Sequence, residues 1–302
     1  LTMYEDALVV FSQALIFNPE NTAICQDLGN ISQILGDYEN AASYYGMIDS
    51  PSTEAMSMEC LYKAGKIDQF FEKLDAYSNQ TKVNIRIAAL SSFAAHQLKR
   101  DDPYPFCRSP LDFLQINHLS VFSANWKEII DNVLSEANDY KLVWESRTTK
   151  FGYQTANDIF EEASGSVLNL QSLIQKAIES YRSDYSSKPD AFIQSWPERG
   201  KLAGWFNRLL KNGYQDAHIH AAGWLSGVIY LQTLDIEENS EGAIEFGLHG
   251  YGLPISDENY PRLLHNPKKG DIVLFPSSLF HRTIPFTKDI ERCVIAFDLE
   301  PI

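Results

Sequence analysis

Two histidines stand directly before a strongly apolar segment in the sequence His218-Ile219-His220-Ala221-Ala222-Gly223-Trp224-Leu225-Ser226-Gly227-Val228-Ile229-Tyr230-Leu231. The β-branched and aromatic residues of Gly227–Leu231 favour a strand. In an extended segment, residues two positions apart point to the same face. We therefore expect the imidazoles of His218 and His220 to converge at the rim of a strand, as two ligands of one metal ion would.

The residues around this stretch also favour strands. After Gly213 the apolar runs are short, rich in β-branched residues and bounded by Gly, Pro and Asp, which predicts an antiparallel barrel or jelly roll formed mainly after that point. The predicted strands are Gly227–Leu231, Ala243–Phe246, Asp271–Phe275 and Cys293–Leu299. Upstream, the spacing of apolar residues predicts helices over Trp126–Ala137, Leu168–Tyr185 and Lys201–Lys211.

A third histidine is expected to return to the same rim. His281 follows the predicted strand Asp271–Phe275 and a turn, and an antiparallel connection would bring it back beside the first strand. Two or three imidazoles that leave coordination positions open suit Fe(II), Zn(II) or Cu(II). His249 and His265 lie in the long loop between Gly247 and Gly270 without ligand spacing, and we exclude both.

Over residues 145–302 these motifs resemble the Fe(II)- and 2-oxoglutarate-dependent oxygenase superfamily, most closely its members with N-terminal tetratricopeptide repeats. Arg292 follows His281 by eleven positions, a spacing similar to that of the arginine that holds the co-substrate in this superfamily. The segments that carry the resemblance are 218–231, 242–247, 267–285 and 292–298.

The resemblance implies an oxidoreductase, namely a non-haem dioxygenase of the hydroxylase type that couples substrate oxidation to decarboxylation of 2-oxoglutarate to succinate. It implies Fe(II) as the metal, with 2-oxoglutarate and O2 as co-substrates, and no catalytic residue beyond the metal site. A planar guanidinium suits the far carboxylate of 2-oxoglutarate better than a lysine does. The implied residues are His218, His220 and His281 for the metal, and Arg292, Tyr230, Thr283 and Ser226 for 2-oxoglutarate.

One position departs from the superfamily pattern. The usual triad is His-x-Asp/Glu with a distant histidine, whereas this chain has His220 at the middle position. Three alternatives are open: three histidines bind the metal, two bind it with water in the place of the carboxylate, or a carboxylate such as Glu245 is the third ligand. Asp216, two positions before His218, is a weaker candidate.

The first hundred residues contain a repeat. Ala7 and Phe11 recur after 34 positions as Ala41 and Tyr45, and glycines stand where turns between helices are expected. This period resembles the tetratricopeptide repeat, a pair of antiparallel helices. The first repeat begins at its second helix, so we expect further repeats before residue 1. The predicted parts are 1–100 (helical repeats that bind a protein partner), 101–144 (a connecting helical segment) and 145–302 (the oxygenase domain, a double-stranded β-helix).

The net charge, the cysteines and the lengths of the apolar runs disfavour some classes of function. The 302 residues carry 25 Lys plus Arg against 40 Asp plus Glu, a net charge of −15 that disfavours nucleic acid as a partner. Four dispersed cysteines without a CxxC pair suit a reducing compartment, and we expect a cytoplasmic protein. The sequence has no apolar run long enough to span a membrane.

Two other functions remain open. The first is a cupin-like metal hydrolase or isomerase that uses the same histidines. The second is an adaptor protein whose repeats do the binding and whose barrel is vestigial, which the missing carboxylate at position 220 motivates. The sequence does not select a substrate, which is either a small molecule or a protein side chain.

Overall fold

The structure is a computed structural model that describes residues 2–80, 82–145, 147–234 and 240–302. The chain divides into two compact units. One contains Leu1–Tyr104 together with Gly252–Ser256, and the other contains Pro105–Tyr251 and Asp257–Ile302.

The first unit is helical, as predicted. Asn21, Ser50 and Asn84 begin three of its helices, because their side chains accept hydrogen bonds from backbone N–H groups of the first turn. The turns after α2 and α4 contain Gly36 and Gly65 at positive φ (81° and 71°), where a side chain would be strained. The helices are α1 (Thr2–Phe17), α2 (Thr22–Ile34), α3 (Tyr38–Gly46), α4 (Pro51–Lys63), α5 (Ile67–Ser78) and α6 (Ile85–Leu98).

The residues of the predicted 34-residue repeat lie in helices. Ala7 and Phe11 lie in α1, and their counterparts Ala41 and Tyr45 lie in α3. Tyr45 is fully buried against α2, where a Cβ atom built on Gly29 would lie 2.5 Å from the tyrosine ring. Glycine at this position therefore allows α2 and α3 to approach closely.

The second unit combines helices with a ten-stranded antiparallel sheet. Its helices are α7 (Trp126–Glu136), α8 (Gly165–Asp184) and α9 (Ala191–Gln194). Its strands are β1 (Gln115–His118), β2 (Leu142–Trp144), β3 (Thr149–Thr155), β4 (Gly200–His218), β5 (Leu225–Gln232), β6 (Ile244–Gly247), β7 (Arg262–His265), β8 (Asp271–Pro276), β9 (Phe280–Thr283) and β10 (Arg292–Pro301).

The sheet curls around one apolar core. Its strand order is β1-β8-β5-β10-β4-β9-β6-β7, and β3 and β2 extend it from β4. Strands near both ends of this order, β8 and β6, contribute to a single buried cluster, which requires the sheet to curve back on itself. The cluster contains Val228, Tyr230, Ile244, Phe246, Val273, Phe275, Leu279 and Val294.

All four predicted strands are present, but the helix predicted over Lys201–Lys211 is wrong. These residues form the first half of β4, which pairs with β10 on one side and with β3 on the other. Their helix-forming leucines and charged residues are overridden by pairing with strands distant in sequence. The sheet therefore begins well before Gly213, and even β1, inside the segment predicted to be a helical connection, pairs with β8.

All four cysteines are free and buried. In the part of the chain that the structure describes, no helix has the length and apolar character needed to cross a membrane.

Candidate metal and co-substrate site

Three histidines meet at one end of the curled sheet. His218 ends β4 and lies directly opposite His281 of β9 in the strand register, and His220 follows in the next turn. One ring nitrogen from each of the three lies within 4.8 Å of the others. The structure thus brings together the three histidines that the sequence singled out.

Hydrogen bonds orient all three rings. The Nδ1 atom of His218 lies 2.6 Å from the Asp216 carbonyl, that of His281 lies 3.1 Å from the Leu279 carbonyl, and that of His220 lies 2.6 Å from Asp298 Oδ1. Each partner is an acceptor, so each Nδ1 carries a proton and donates it. A neutral imidazole in this tautomer presents its lone pair at Nε2, which is the arrangement found around protein-bound metals.

The spacing of the nitrogens fits a metal ion. Two nitrogen ligands about 2.1 Å from one ion lie about 3.0 Å apart at a right angle and about 3.4 Å apart at the tetrahedral angle. The Nε2 atoms of His218 and His220 are 3.3 Å apart. The separation of these nitrogen atoms therefore fits an ion such as Fe(II), which accepts imidazole ligands.

Burial keeps two of these histidines neutral. It lowers the pKa of His218 to about 4, an effect that the neighbouring His220 increases. Burial, with the charges of His218 and His220, also holds the pKa of His281 well below its usual value. Both side chains are therefore in the deprotonated state that metal binding requires at neutral pH.

The carboxylate alternatives do not fit. Glu245 lies opposite Arg282 in the β6–β9 register and accepts a hydrogen bond from its Nε at 2.9 Å, whereas Phe246 is the partner of His281. Because side chains alternate along a strand, Glu245 points to the face away from the histidines. Asp216 is exposed and contributes its backbone carbonyl to His218 rather than its carboxylate.

A buried arginine lines the same cavity. This cavity has a volume of about 410 Å³, and its walls include the three histidines, Thr283 and Arg292. Arg292 is 2% exposed, donates from Nε to the Gly242 carbonyl at 3.1 Å and lies with Cζ 5.0 Å from the Tyr230 ring centre. Among the residues that the structure describes, no carboxylate pairs with it. Burial lowers the pKa of Arg292, as expected for a charge without an anionic partner.

Tyr230 lies beside Arg292, and Thr283 lies in the cavity wall. The Tyr230 hydroxyl is buried without a hydrogen-bond partner among the described residues, and burial raises its pKa to about 12, so it remains a donor. Thr283 lines the cavity and donates to Gln215 Oε1 at 3.3 Å.

Ser226 does not lie at the arginine end of the cavity, contrary to the sequence prediction. It is the register partner of Asp298, six residues along β10 from Arg292, a span of about 20 Å at about 3.3 Å per residue. Its hydroxyl donates to Asp298 Oδ1 at 2.6 Å. Ser226 therefore supports the carboxylate behind His220 instead of the co-substrate.

Sequence reasoning missed Asn207. Both side-chain polar atoms of Asn207 are buried without a hydrogen-bond partner among the described residues, and the residue is 1% exposed. Its register partners, Gln154 on β3 and Val294 on β10, both line the cavity. Because this segment was predicted to be a helix, the two-residue alternation of a strand was not applied to it. That alternation would have placed Asn207 on the same face as Trp205, toward the cavity.

Sequence reasoning also missed Asp298 as part of the site. Asp298 could have been found from its position on the last strand, because it lies an even number of residues from Arg292 and therefore on the same face. The residues on this face that line the cavity are Arg292, Val294, Ala296 and Asp298. Trp205 lines it as well, with its ring centre 5.3 Å from that of His220.

Comparison with known proteins identifies the class of this site. Residues 203–298, about a third of the chain, match the family model described as "Putative 2OG-Fe(II) oxygenase". A search of curated protein sequences finds no significant match. The matched segment contains every residue predicted to bind the metal or the co-substrate.

Several solved structures are similar to this chain. A Pseudomonas putida prolyl-4-hydroxylase has 12% identity and a TM-score of 0.45, covering 63% of this chain and 92% of its own. HygX from Streptomyces hygroscopicus, with nickel and 2-oxoglutarate bound, has 15% identity and a TM-score of 0.43, covering 64% and 87%. A Trichoplax adhaerens prolyl hydroxylase in complex with a hypoxia inducible factor peptide has 11% identity and a TM-score of 0.45, covering 76% and 91%.

The family match confirms the predicted class. The second unit carries a 2-oxoglutarate- and Fe(II)-dependent oxygenase domain. The chain is thus an oxidoreductase of the dioxygenase type, and its cofactor and co-substrates are Fe(II), 2-oxoglutarate and O2.

Proposed function

We propose that His218, His220 and His281 bind Fe(II) through their Nε2 atoms, and that Arg292 binds the far carboxylate of 2-oxoglutarate for hydroxylation of a substrate. The observation that carries this proposal is one cavity with two unlike groups in its walls. These are a cluster of three histidines and a buried arginine that no carboxylate of the described residues pairs with. A dicarboxylic keto acid has the complementary chemistry, with one end that chelates a metal and another that carries a negative charge.

The arginine supports the choice of an anionic ligand. An isolated buried charge is strongly disfavoured unless an opposite charge and hydrogen bonds compensate it. Arg292 uses one donor on the Gly242 carbonyl, so its remaining N–H groups are available for a bidentate contact. Tyr230 adds a hydroxyl that has no other partner among the described residues, and Thr283 places a second hydroxyl in the cavity wall.

The remaining residues act by holding atoms in place. Bound Fe(II) and 2-oxoglutarate supply the oxidative chemistry, in which decarboxylation of the keto acid is coupled to oxidation of a substrate C–H bond. His218 and His281 supply lone pairs at neutral pH because burial keeps them deprotonated. The Asn207 amide, which has no hydrogen-bond partner in the described part of the chain, is suited to bind an oxygen of 2-oxoglutarate or of the substrate.

We also propose finer features of the two units. The 34-residue spacing and the Gly29–Tyr45 packing support a tetratricopeptide-like array over residues 1–100 that binds a protein partner. The antiparallel strand order supports a double-stranded β-helix within residues 145–302, with 101–144 as the connection. The four buried free thiols fit a reducing compartment such as the cytoplasm.

Anaerobic purification followed by Fe(II) titration and a 2-oxoglutarate turnover assay tests the proposal. We expect one Fe(II) per chain, and succinate formed from 2-oxoglutarate when O2 is admitted. Stoichiometric metal without succinate would favour a cupin-like hydrolase or isomerase. A chain that retains no metal would favour the adaptor with a vestigial barrel.

A further inference from the structure

We propose that Asp298 is a positioning residue that is bonded to the metal ligand His220 and is not itself a ligand. It supplies the negative charge that the superfamily obtains from a carboxylate ligand. This inference rests on the proposed function, because it concerns the same three histidines. His220 occupies the position at which the superfamily pattern has Asp or Glu. In this chain the nearest carboxylate is bonded to the far side of the His220 ring.

The contacts of Asp298 are short and buried. Its Oδ1 atom lies 2.6 Å from His220 Nδ1 and 2.6 Å from the Ser226 hydroxyl, and the residue is 4% exposed. Ser226 is its register partner on β5 and is itself held by Ser277 at 2.8 Å. These contacts fix the carboxylate in a single position behind the imidazole.

The charges around Asp298 point toward the metal. Within the described ranges, no lysine or arginine pairs with Asp298, and His220 is its one basic partner. A buried carboxylate without a full positive partner is unfavourable, and a divalent ion on the opposite side of the imidazole would compensate it. In return, a carboxylate that accepts from Nδ1 fixes the ring and makes Nε2 a stronger donor to the metal.

This arrangement accounts for the departure at position 220. Three neutral imidazoles alone would leave the full double charge of the ion uncompensated in a buried cavity. With the Asp298 carboxylate behind His220, the metal, its ligands and their bonded partners carry the same total charge as a His-x-Asp site. The site thus retains a carboxylate, and this carboxylate acts on the ion through its hydrogen bond to the His220 imidazole.

Metal affinity tests the role of Asp298. Isothermal titration calorimetry measures the binding of Co(II) and Ni(II) to the metal-free protein without O2. It compares wild type with Asp298→Asn, a change that keeps the shape of the side chain and removes its charge. We expect a loss of affinity of about 10- to 100-fold, the usual consequence of losing such an outer partner. We also expect a shift in the visible absorption bands of the fully loaded Co(II) form, which a purely structural role would not produce.

Asp271→Asn is the matched control. Asp271 is also a buried aspartate of the same sheet bonded to a histidine, since its Oδ2 atom lies 3.0 Å from His265 Nε2, but it is not in the histidine cluster. Its replacement should leave Co(II) affinity unchanged. If Asp298→Asn fails to fold, Ser226→Ala removes one of the two bonds that hold the carboxylate and should lower affinity several-fold.

A second variant, His220→Asp, distinguishes an effect of Asp298 through His220 from direct coordination of the metal by Asp298. His220→Asp restores a carboxylate ligand, so adding Asp298→Asn to this variant should cause no further loss of Co(II) affinity. An equal loss in both backgrounds would overturn the proposal, as would an unchanged affinity and spectrum in Asp298→Asn alone. Failure of wild type to bind Co(II) or Ni(II) would instead reject the proposed metal site itself.

Discussion

His218 and His281 face each other across the β4–β9 pair in direct register, with ring centres 4.4 Å apart, although 63 positions separate them in the sequence. The pairing joins the end of a long strand to the start of a short one. Sheet topology, rather than a local motif, therefore completes the histidine cluster.

Replacing His281 with Ala should abolish stoichiometric iron binding. The remaining two imidazoles would form a bidentate site with much lower affinity, because one of three converging ligands is lost. Iron content after anaerobic loading measures this effect. His249→Ala, in a histidine outside the cluster, is the control, and full iron retention by His281→Ala would show that the site is misassigned.

Replacing His220 distinguishes the three-histidine site from a site completed by Glu245. We expect His220→Ala to weaken Fe(II) binding as much as His218→Ala does, and Glu245→Gln to leave it unchanged, because Glu245 bonds Arg282 on the opposite face of the sheet. Fe(II) titrations of the three variants measure this. A large loss in Glu245→Gln with none in His220→Ala would reverse the assignment.

Asn207→Leu should increase stability while it weakens ligand binding. Leucine has a similar size and removes two buried polar atoms that have no partner within the described ranges, and such unsatisfied atoms cost about 1–3 kcal/mol. We therefore expect a higher midpoint in urea unfolding of the metal-free protein, together with weaker binding of 2-oxoglutarate or substrate. A variant that is destabilised, with unchanged ligand affinities, would show that Asn207 has a structural role only.

The metal-free protein should lose stability as the pH falls below about 6.5. The pKa of His218 is about 4 in the folded state and about 6.5 when unfolded, so the unfolded chain takes up the proton first. Stability from this group is complete above pH 6.5 and is lost progressively down to about pH 4. Between pH 7 and pH 5 the loss should be about 2 kcal/mol.

Urea unfolding of metal-free wild type and His218→Gln at pH 7 and pH 5 checks this expectation. Glutamine does not titrate, so the variant should show a smaller difference between the two pH values. An identical pH dependence in both proteins would mean that His218 is not buried in its neutral form.

His218 and His220 could be predicted as a pair because their signal is local. The two-residue spacing of His218 and His220 fixes a common face in any extended segment, and His281 follows a clear strand. The orientation of Glu245 could not be deduced, because it depends on the β6–β9 register, and a shift of one residue reverses every side chain.

The first half of β4 was predicted wrongly for a different physical reason. Residues 201–211 pair with a strand on each side, and their buried positions include neighbours such as Phe206 and Asn207 on opposite faces. This pattern mimics the spacing of a helix. Non-local pairing decides its structure. The position of Asn207 on the cavity side of the sheet was missed together with that strand.

Titration of 2-oxoglutarate into iron-loaded wild type and Arg292→Ala under anaerobic conditions tests the central claim most directly, since it joins the histidine cluster to the buried arginine. A charge-assisted bidentate contact in a closed pocket contributes about 2–5 kcal/mol on truncation, and about 1.4 kcal/mol corresponds to a tenfold change. We predict a loss of about thirtyfold or more in 2-oxoglutarate affinity with iron still bound, and partial recovery in Arg292→Lys. Equal affinities in wild type and Arg292→Ala would contradict the assignment of this cavity to 2-oxoglutarate.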